Sequence, residues 1–335
     1  MKLLITGCCG FIGFHLSKKL LNKNLSVIGI DNINNYYDTR LKKERLLILK
    51  KKKKFLFAKV DISNLNLLNK YIVKHKIKYI INLAAQAGVR YSILNPKPYF
   101  ESNVLGFYNI LETSRKNKIK HLIFASTSSV YGDNNKFPIQ EDDNTDKPLS
   151  FYAATKKSNE VFAYSYSNIY KIPCTGLRFF TVYGPMGRPD MALFKFCKNI
   201  LMNKRINVFN NGNHTRDFTY INDVVDGIVS IIKKPSKKKI PFQIFNISSN
   251  NPIKLKKFIN MIEKLLGKKA KINNLKLQKG DVIKTHGSNK KIKNFASFKI
   301  KTRTFDGINS FIDWYKNFYK RWSDFFLILK QKLEN

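Results

Sequence analysis

Short apolar runs rich in Val, Ile and Leu alternate, through the first half of the chain, with longer stretches whose apolar residues recur at helical spacing. The runs predict strands over residues 2–6, 26–31, 55–60, 79–83, 121–125, 174–179 and 242–247. Helices are predicted between them over residues 12–21, 65–75, 103–116 and 152–170. Strands separated by helices imply right-handed crossovers, hence an α/β fold with a parallel sheet covered on both faces. Few charged residues interrupt the later runs, as expected of strands buried on both sides.

The rhythm changes after residue 180. Tyr183-Gly184-Pro185-Met186-Gly187-Arg188-Pro189 breaks regular structure, and shorter elements follow. A helix over residues 222–233 and the strand at 242–247 rejoin the first unit. The expected division is therefore 1–180 with 220–250 as one domain, 181–219 with 251–322 as a smaller α/β domain, and 323–335 as a tail. The tail carries Phe325-Phe326-Leu327-Ile328-Leu329. Packing against the domain is the preferred reading of that run, ahead of a dimer contact or a membrane-surface contact. No apolar run approaches the roughly twenty residues a membrane helix needs, and the chain enters its first strand without a leader-like stretch. A cytoplasmic protein with no integral membrane segment is expected.

Charge alters this picture little. There are 62 Lys+Arg against 22 Asp+Glu, a formal net charge of +40. A field of that sign attracts nucleic acid. The excess is mostly Lys spread along the whole chain, however, with abundant Asn and Ile, as an AT-rich genome writes at permissive surface positions. The densest runs, residues 50–54 and 237–239, fall in expected loops, and no aromatic residues alternate with them as a single-strand platform requires. Nucleic acid is not an expected partner. The four cysteines (Cys8, Cys9, Cys174 and Cys197) read as free thiols in a reducing compartment. No His, Cys, Asp or Glu grouping has metal spacing, so no metal is expected.

The first strand runs into Gly7-Cys8-Cys9-Gly10-Phe11-Ile12-Gly13, which opens a helix. Glycines there permit a tight turn, close approach of backbone to a pyrophosphate, and close packing of helix on sheet. The helix start adds free N–H groups and a positive dipole end. The spacing is G-x-x-G-x-x-G, and three glycines alone also suit a structural turn. Context favours a dinucleotide, because Asp31 closes the second strand about twenty residues on. A carboxylate at that point accepts from a ribose hydroxyl and repels a 2′-phosphate, which selects NAD. Asp61-Ile62 after the third strand suits the adenine edge or, equally, a helix cap.

Tyr152 and Lys156 form a Y-x-x-x-K pair on one helical face. A tyrosine of ordinary pKa near 10 is a poor base at neutral pH. A neighbouring ammonium and a nicotinamide cation favour its phenolate. The spacing recurs by chance, but here Ser126-Thr127-Ser128-Ser129-Val130-Tyr131-Gly132 precedes it, directly after a strand. Hydroxyls at a strand's C-terminal end lie in the crevice where open α/β sheets bind ligands.

These segments together resemble an extended short-chain dehydrogenase/reductase from residue 2 to about 319, a Rossmann-type doubly wound fold with a smaller substrate-binding domain. Within it the chain is similar to the UDP-glucuronate 4-epimerases. That likeness is carried by Asp31-Asn32-Ile33-Asn34-Asn35-Tyr36-Tyr37-Asp38, Ala84-Ala85-Gln86-Ala87-Gly88-Val89-Arg90-Tyr91-Ser92, Tyr183–Ala192 and Arg216-Asp217-Phe218-Thr219-Tyr220-Ile221. The resemblance implies that Tyr152, assisted by Thr127, takes the proton from a sugar 4-hydroxyl. Lys156 would hold the nicotinamide ribose and depress the tyrosine pKa. Asn32, Leu83, Ala84, Ala85, Gln86, Ser126 and Phe179 would contact NAD. It assigns Arg90, Arg216 and Asp281 to a UDP-sugar, and implies a homodimer built on the helices that start near Asn103 and Tyr152.

A uronate oxidised at C4 is a β-keto acid that can lose CO₂, so its carboxylate has to be held out of line. Thr127, Ser128, Ser129 and Thr181 are candidates as neutral donors, with Arg188 as the charge; Ser128 and Ser129 are expected to grip the carboxylate. Related 4,6-dehydratases place Asp-Glu where Ser128-Ser129 stand here, and decarboxylases place Glu at the second position. Neither chemistry has its side chain in this chain. A neutral-sugar 4-epimerase, acting on UDP-glucose or UDP-N-acetylglucosamine, is the alternative. Leu277-Gln278-Lys279-Gly280-Asp281 resembles the segment that reaches the pyrophosphate, with Gln278 where many neutral-sugar relatives use Arg. A non-catalytic NAD sensor would usually lack Tyr152 or Lys156. The histidines (His15, His75, His121, His214 and His286) read as packing or surface residues.

Overall fold

The computed structural model describes residues 2–333, with side chains described as far as Tyr319. Among the described residues, twelve strands form three sheets. The main one contains β1 (Lys2–Thr6), β2 (Ser26–Asp31), β3 (Phe55–Lys59), β4 (Tyr79–Asn82), β5 (His121–Thr127) and β6 (Cys174–Phe179). Next in the chain come β7 (Thr181–Tyr183), β8 (Arg205–Phe209) and β9 (Thr215–Tyr220), then β10 (Phe242–Ile247), β11 (Pro252–Lys254) and β12 (Lys271–Leu275). The main sheet has the order β10-β6-β5-β4-β1-β2-β3, and every pairing in it is parallel. Its central strands are buried on both faces, as the uninterrupted apolar runs predict.

Strand order reverses between β1 and β4, which opens a crevice at their C-terminal ends. The Thr6 hydroxyl pins that point. It donates to Asn82 Oδ1 (2.6 Å) and accepts from the Leu83 and Ala84 N–H groups (3.1 and 3.0 Å). The chains leaving the two strands are thereby fixed side by side. Residues after 180 supply a second layer above the crevice: a three-stranded sheet β11-β9-β7, a pair β12-β8, and helices Ala192–Leu201 and Leu255–Leu266. Stacked Phe218 and Phe258, with centroids 4.1 Å apart, join sheet to helix there. Between these layers, helix Ile221–Ile231 packs on helix Phe11–Asn22 beside the main sheet.

Three differences from the sequence reading have physical causes. Strand β5 runs on through Ser126 and Thr127, so the hydroxyl run begins inside the sheet. The stretch expected as a helix from residue 103 starts with a π-helical turn, Phe100–Leu105, before helix Gly106–Lys116. Asn103 in that turn is buried and turned to another use. It receives the Gln86 N–H and donates to Gln86 O and Thr155 Oγ1. Helix Thr39–Lys50, capped by Asp38, escapes the apolar pattern because Lys42 and Arg45 share its buried face with Leu41, Leu46 and Leu49. Helix Thr304–Leu333 runs through the expected tail, whose packing lies outside the described residues. No described helix is long and apolar enough to cross a membrane.

Candidate active site

A cavity of about 390 Å³ lies over the crevice and is lined by the glycine loop, Asp31, the end of β5, Tyr152, Lys156 and Arg188. Its volume is that of an ordinary small-molecule site.

At one end sits the turn Gly7–Gly13. Gly7 has φ +68°, and a Cβ there would stand 2.8 Å from the Ala84 nitrogen. A Cβ on Gly13 would stand 2.1 Å from the Gly7 carbonyl oxygen. Both positions therefore require glycine. Helix Phe11–Asn22 has Gly10 at its N-cap and no side-chain cap. Its first-turn N–H groups, at Phe11, Ile12 and Gly13, remain for an anion at the cavity wall. Asp31 is aimed by two backbone donors, Cys9 N (2.9 Å) and Ile33 N (2.8 Å). Asn32 Nδ2 donates to Asp61 Oδ2 at 2.7 Å. Asn64, not Asp61, caps the following helix; Asp61 Oδ1 accepts the Ser63 N–H and hydroxyl, and Asp61 and Ile62 line the cavity. Gln86 also lines it, and its buried amide nitrogen has no protein partner. An uncapped helix start, a fixed carboxylate and an orphan donor around one slot fit a dinucleotide.

At the other end, Tyr152 and Lys156 lie one turn apart on helix Phe151–Tyr170, whose N-cap is Ser150. Burial is the largest influence on Tyr152 and raises its pKa. The Thr127 hydroxyl, hydrogen-bonded to it, and the Arg188 charge pull it back. The sequence reading assigns that part to Lys156 and a nicotinamide cation and does not foresee Thr127 and Arg188 in it. Lys156 is itself lowered to about 8 by burial, with Glu160 opposing the fall. Thr127 Oγ1 also lies 3.2 Å from Ser129 Oγ and accepts the Ser129 N–H. Ser128, Ser129, Thr181 and Phe179 line the same cavity, as do Leu83, Ala84, Ala85 and Ser126.

Arg188 is in the cavity wall but not bare. It holds Asp190 through two contacts, Nε to Oδ1 at 3.0 Å and a second guanidinium nitrogen to Oδ2 at 2.5 Å. The Tyr36 hydroxyl reaches the same carboxylate at 3.4 Å. Arg90, Arg216 and Asp281 are brought together elsewhere, outside this cavity's lining. Arg90 pairs with Asp281 at 2.8 Å and lies over the Phe209 ring at 4.2 Å. Arg216 donates to Thr215 O and Ile283 O, and burial lowers its pKa to about 10.

Sequence reasoning missed Tyr36, Tyr99, Asn103, Glu160, Arg178 and Asp190. Of these, Tyr36 and Asp190 stood inside the quoted motif strings, which was signal enough. It also missed that Cys8, Cys9 and Asp31 converge, with ligand atoms within 4.8 Å of one another. Both Asp31 oxygens are already engaged by backbone, and burial drives the Cys8 thiol well up. The trio is a packed part of the loop. His15 is half-buried and His121 buried, with ring nitrogens bonded to Pro185 O and to Ile232 O and Thr175 Oγ1 respectively. Burial lowers them to about 3 and about 4.

Comparison with known proteins places this geometry. The model of the NAD dependent epimerase/dehydratase family matches residues 3–248. Protein CapI of Staphylococcus aureus is 49% identical over 335 residues, covering 96% of this chain and 100% of that protein. A probable UDP-glucuronate 4-epimerase of Rhizobium meliloti is 41% identical, covering 96% of this chain and 98% of its own. The crystal structure of UDP-glucuronic acid 4-epimerase from Bacillus cereus, in complex with UDP-glucuronic acid and NAD, superposes with a TM-score of 0.90. It is 36% identical and covers 95% of this chain and 100% of that one.

Proposed function

Because the chain belongs to the NAD dependent epimerase/dehydratase family, we propose that its cavity binds NAD and a UDP-uronate and inverts the sugar at C4. It is an isomerase that interconverts UDP-glucuronate and UDP-galacturonate. One observation carries this reading: the glycine loop with Asp31, the Tyr152/Lys156 pair, and the Ser128/Ser129/Arg188 group all open on one cavity.

NAD, when bound, supplies a reversible hydride acceptor for C4. The chain does the rest. Phe11, Ile12 and Gly13 offer their N–H groups to the pyrophosphate, Asp31 with Asn32 takes the adenine ribose, and Lys156 takes the nicotinamide ribose. Tyr152 removes the 4-hydroxyl proton and returns it, with Thr127 holding its oxygen. Arg90, Arg216 and Asp281 receive the UDP part. Ser128, Ser129, Thr181 and Arg188 hold the carboxylate away from the geometry in which the ketone would expel CO₂. No carboxylate stands at 128 or 129 to eliminate water. The proposed division assigns residues 1–180 and 220–250 to NAD, and 181–219 and 251–322 to the sugar nucleotide. Four buried free thiols suit a reducing cytoplasm.

Incubating the protein with UDP-glucuronate, UDP-glucose and UDP-N-acetylglucosamine and resolving the C4 epimers tests this directly. UDP-galacturonate is the expected product; conversion of only the neutral sugars would overturn the uronate assignment. The double variant Ser128→Ala/Ser129→Ala is expected to raise KM for UDP-glucuronate about ten- to a hundredfold. That corresponds to the roughly 1.5–3 kcal/mol of a hydrogen bond to a charged group. It should also release CO₂, measured from a labelled carboxylate; unchanged uronate kinetics would remove the serines from the role.

The exposed apolar residues Phe100, Leu105, Tyr108, Val161 and Tyr164 support a homodimer built on the helices around 106–116 and 151–170. Light scattering should give twice the chain mass for the wild type and the single-chain mass for Leu105→Glu/Val161→Glu. A monomeric wild type rules the dimer out.

A further inference from the structure

Behind Lys156, on the side away from the cavity, lies a buried ion pair that the reaction as described does not use. Glu160 is one turn beyond Lys156 on helix Phe151–Tyr170 and is 4% exposed; Arg178 on β6 is also 4% exposed. Arg178 grips Glu160 with two parallel contacts, Nε to Oε1 at 2.9 Å and a second nitrogen to Oε2 at 2.8 Å. Its remaining nitrogen donates to the Tyr131 hydroxyl and to Glu141 O, both at 2.8 Å. Glu160 Oε1 accepts a third donor, the Ser126 hydroxyl, at 2.6 Å. The carboxylate is thus fixed at both oxygens and joined to strand β5 one residue before Thr127.

A buried ion pair is weak evidence for stability, because desolvation offsets most of the attraction. Its placement argues for a different role. Residues four apart share a helix face, so the Glu160 charge acts on the ammonium of Lys156. We propose that Glu160 is a positioning residue that keeps Lys156 in its cationic form at working pH and, through Ser126, sets the end of β5 that carries Thr127 and Ser129. Arg178 keeps that carboxylate aimed. This rests on the assignment of Lys156 to the nicotinamide ribose.

Of the charged and titratable groups near Lys156, its own helix supplies Tyr152 and Glu160, and β6 supplies Arg178 to Glu160. Asp31, Tyr36, Lys42, Asp61 and Arg188 line the same cavity, but the influence on Lys156 comes from burial and Glu160. Strand β5 contributes only the neutral hydroxyls Ser126 and Thr127. Glu160 is the carboxylate among them that raises the lysine's pKa against burial, the two together leaving it at about 8. Removing that charge lowers it further, so the ammonium is lost at lower pH.

The test follows two curves against pH: kcat/KM for UDP-glucuronate, and NAD affinity by calorimetry on cofactor-free protein. In Glu160→Gln the alkaline fall of both curves should begin about one pH unit lower than in wild type, with sugar KM little changed at pH 6.5. Glu160→Asp should restore most of the shift. Because Glu160→Gln leaves Arg178 buried and uncompensated, Glu160→Gln/Arg178→Met is measured beside it; loss of the cation offsets part of the lost carboxylate, so its limb should lie between those of the single variant and wild type. A folded Glu160→Gln whose alkaline limb coincides with wild type would overturn the proposal. So would collapse of both the single and the double variant, which would assign the pair to the fold alone. If the wild-type curves have no limb near pH 8 that Lys156→Arg removes, the assignment of Lys156 has failed instead.

Discussion

Tyr152→Phe should lower kcat by about a hundred- to ten-thousandfold, the range expected for loss of a positioned acid–base group. It should leave the binding of NAD and UDP-glucuronate within a few-fold of wild type. The ring stays: Tyr152 packs edge-on against Tyr99, with centroids 6.0 Å apart, and phenylalanine keeps that contact. Only the oxygen is lost, together with its hydrogen bond from Thr127 and its attraction to Arg188. Both influences matter because burial works against the phenolate, so kcat of the wild type should rise with pH until the tyrosine is ionised. Thr127→Ala removes a group that pulls Tyr152 down, so its rising limb should lie at higher pH. Steady-state rates with isothermal calorimetry check both variants. A Tyr152→Phe enzyme within tenfold of wild type would give the proton transfer to another group.

Much of this site was legible in the sequence because each piece announces itself locally. The glycine loop is one continuous string, Asp31 ends a strand whose apolar run is unmistakable, and Tyr152 with Lys156 is fixed by helical spacing. Periodicity also gave the parallel sheet, since strands buried on both faces carry no alternation to confuse with an amphipathic sheet. What escaped was every contact made across the fold. Glu160 and Arg178 are eighteen positions apart, and nothing in their local pattern pairs them until helix Phe151–Tyr170 packs on β5 and β6. Asn103 reads as an ordinary helical position, yet a π-helical turn points it at Gln86 and Thr155. Helix Thr39–Lys50 was hidden by its own charges: Arg45 is fully buried, donating to Cys9 O, Tyr37 Oη and Met186 O rather than to water. The cationic motif residues show the same limit from the other side. Arg90, Arg188 and Arg216 were singled out from their motif strings, but only the structure shows Asp281, Asp190 and backbone carbonyls engaging them.

Gly13→Ala should abolish NAD retention, raising the NAD dissociation constant at least about a hundredfold and removing activity at ordinary cofactor concentrations. A methyl on Gly13 would stand 2.1 Å from the Gly7 carbonyl oxygen, 2.9 Å from its carbon and 3.1 Å from the Cys8 Cα. All three are backbone atoms, so no side chain can swing aside. The Gly7 oxygen is itself committed, accepting the Gly10 N–H at 2.9 Å, while the Gly7 N–H is tied to Ile30 O at 2.8 Å. Relief therefore has to come from moving the whole turn away from the helix start. That displaces the N–H groups of Phe11 and Ile12 and disturbs the Cys9 N–H that aims Asp31. The sheet itself should survive, since β1 keeps its pairing with β2 and β4. Circular dichroism should thus show a folded protein, with calorimetry showing no NAD binding. Gly267→Ala is the informative control. Gly267 also has positive φ but meets nothing within 4 Å, and it lies at the end of helix Leu255–Leu266, outside the residues that line the cavity. Backbone strain alone should cost it stability and leave NAD affinity unchanged, whereas an unimpaired Gly13→Ala would mean that the loop is not what holds the pyrophosphate.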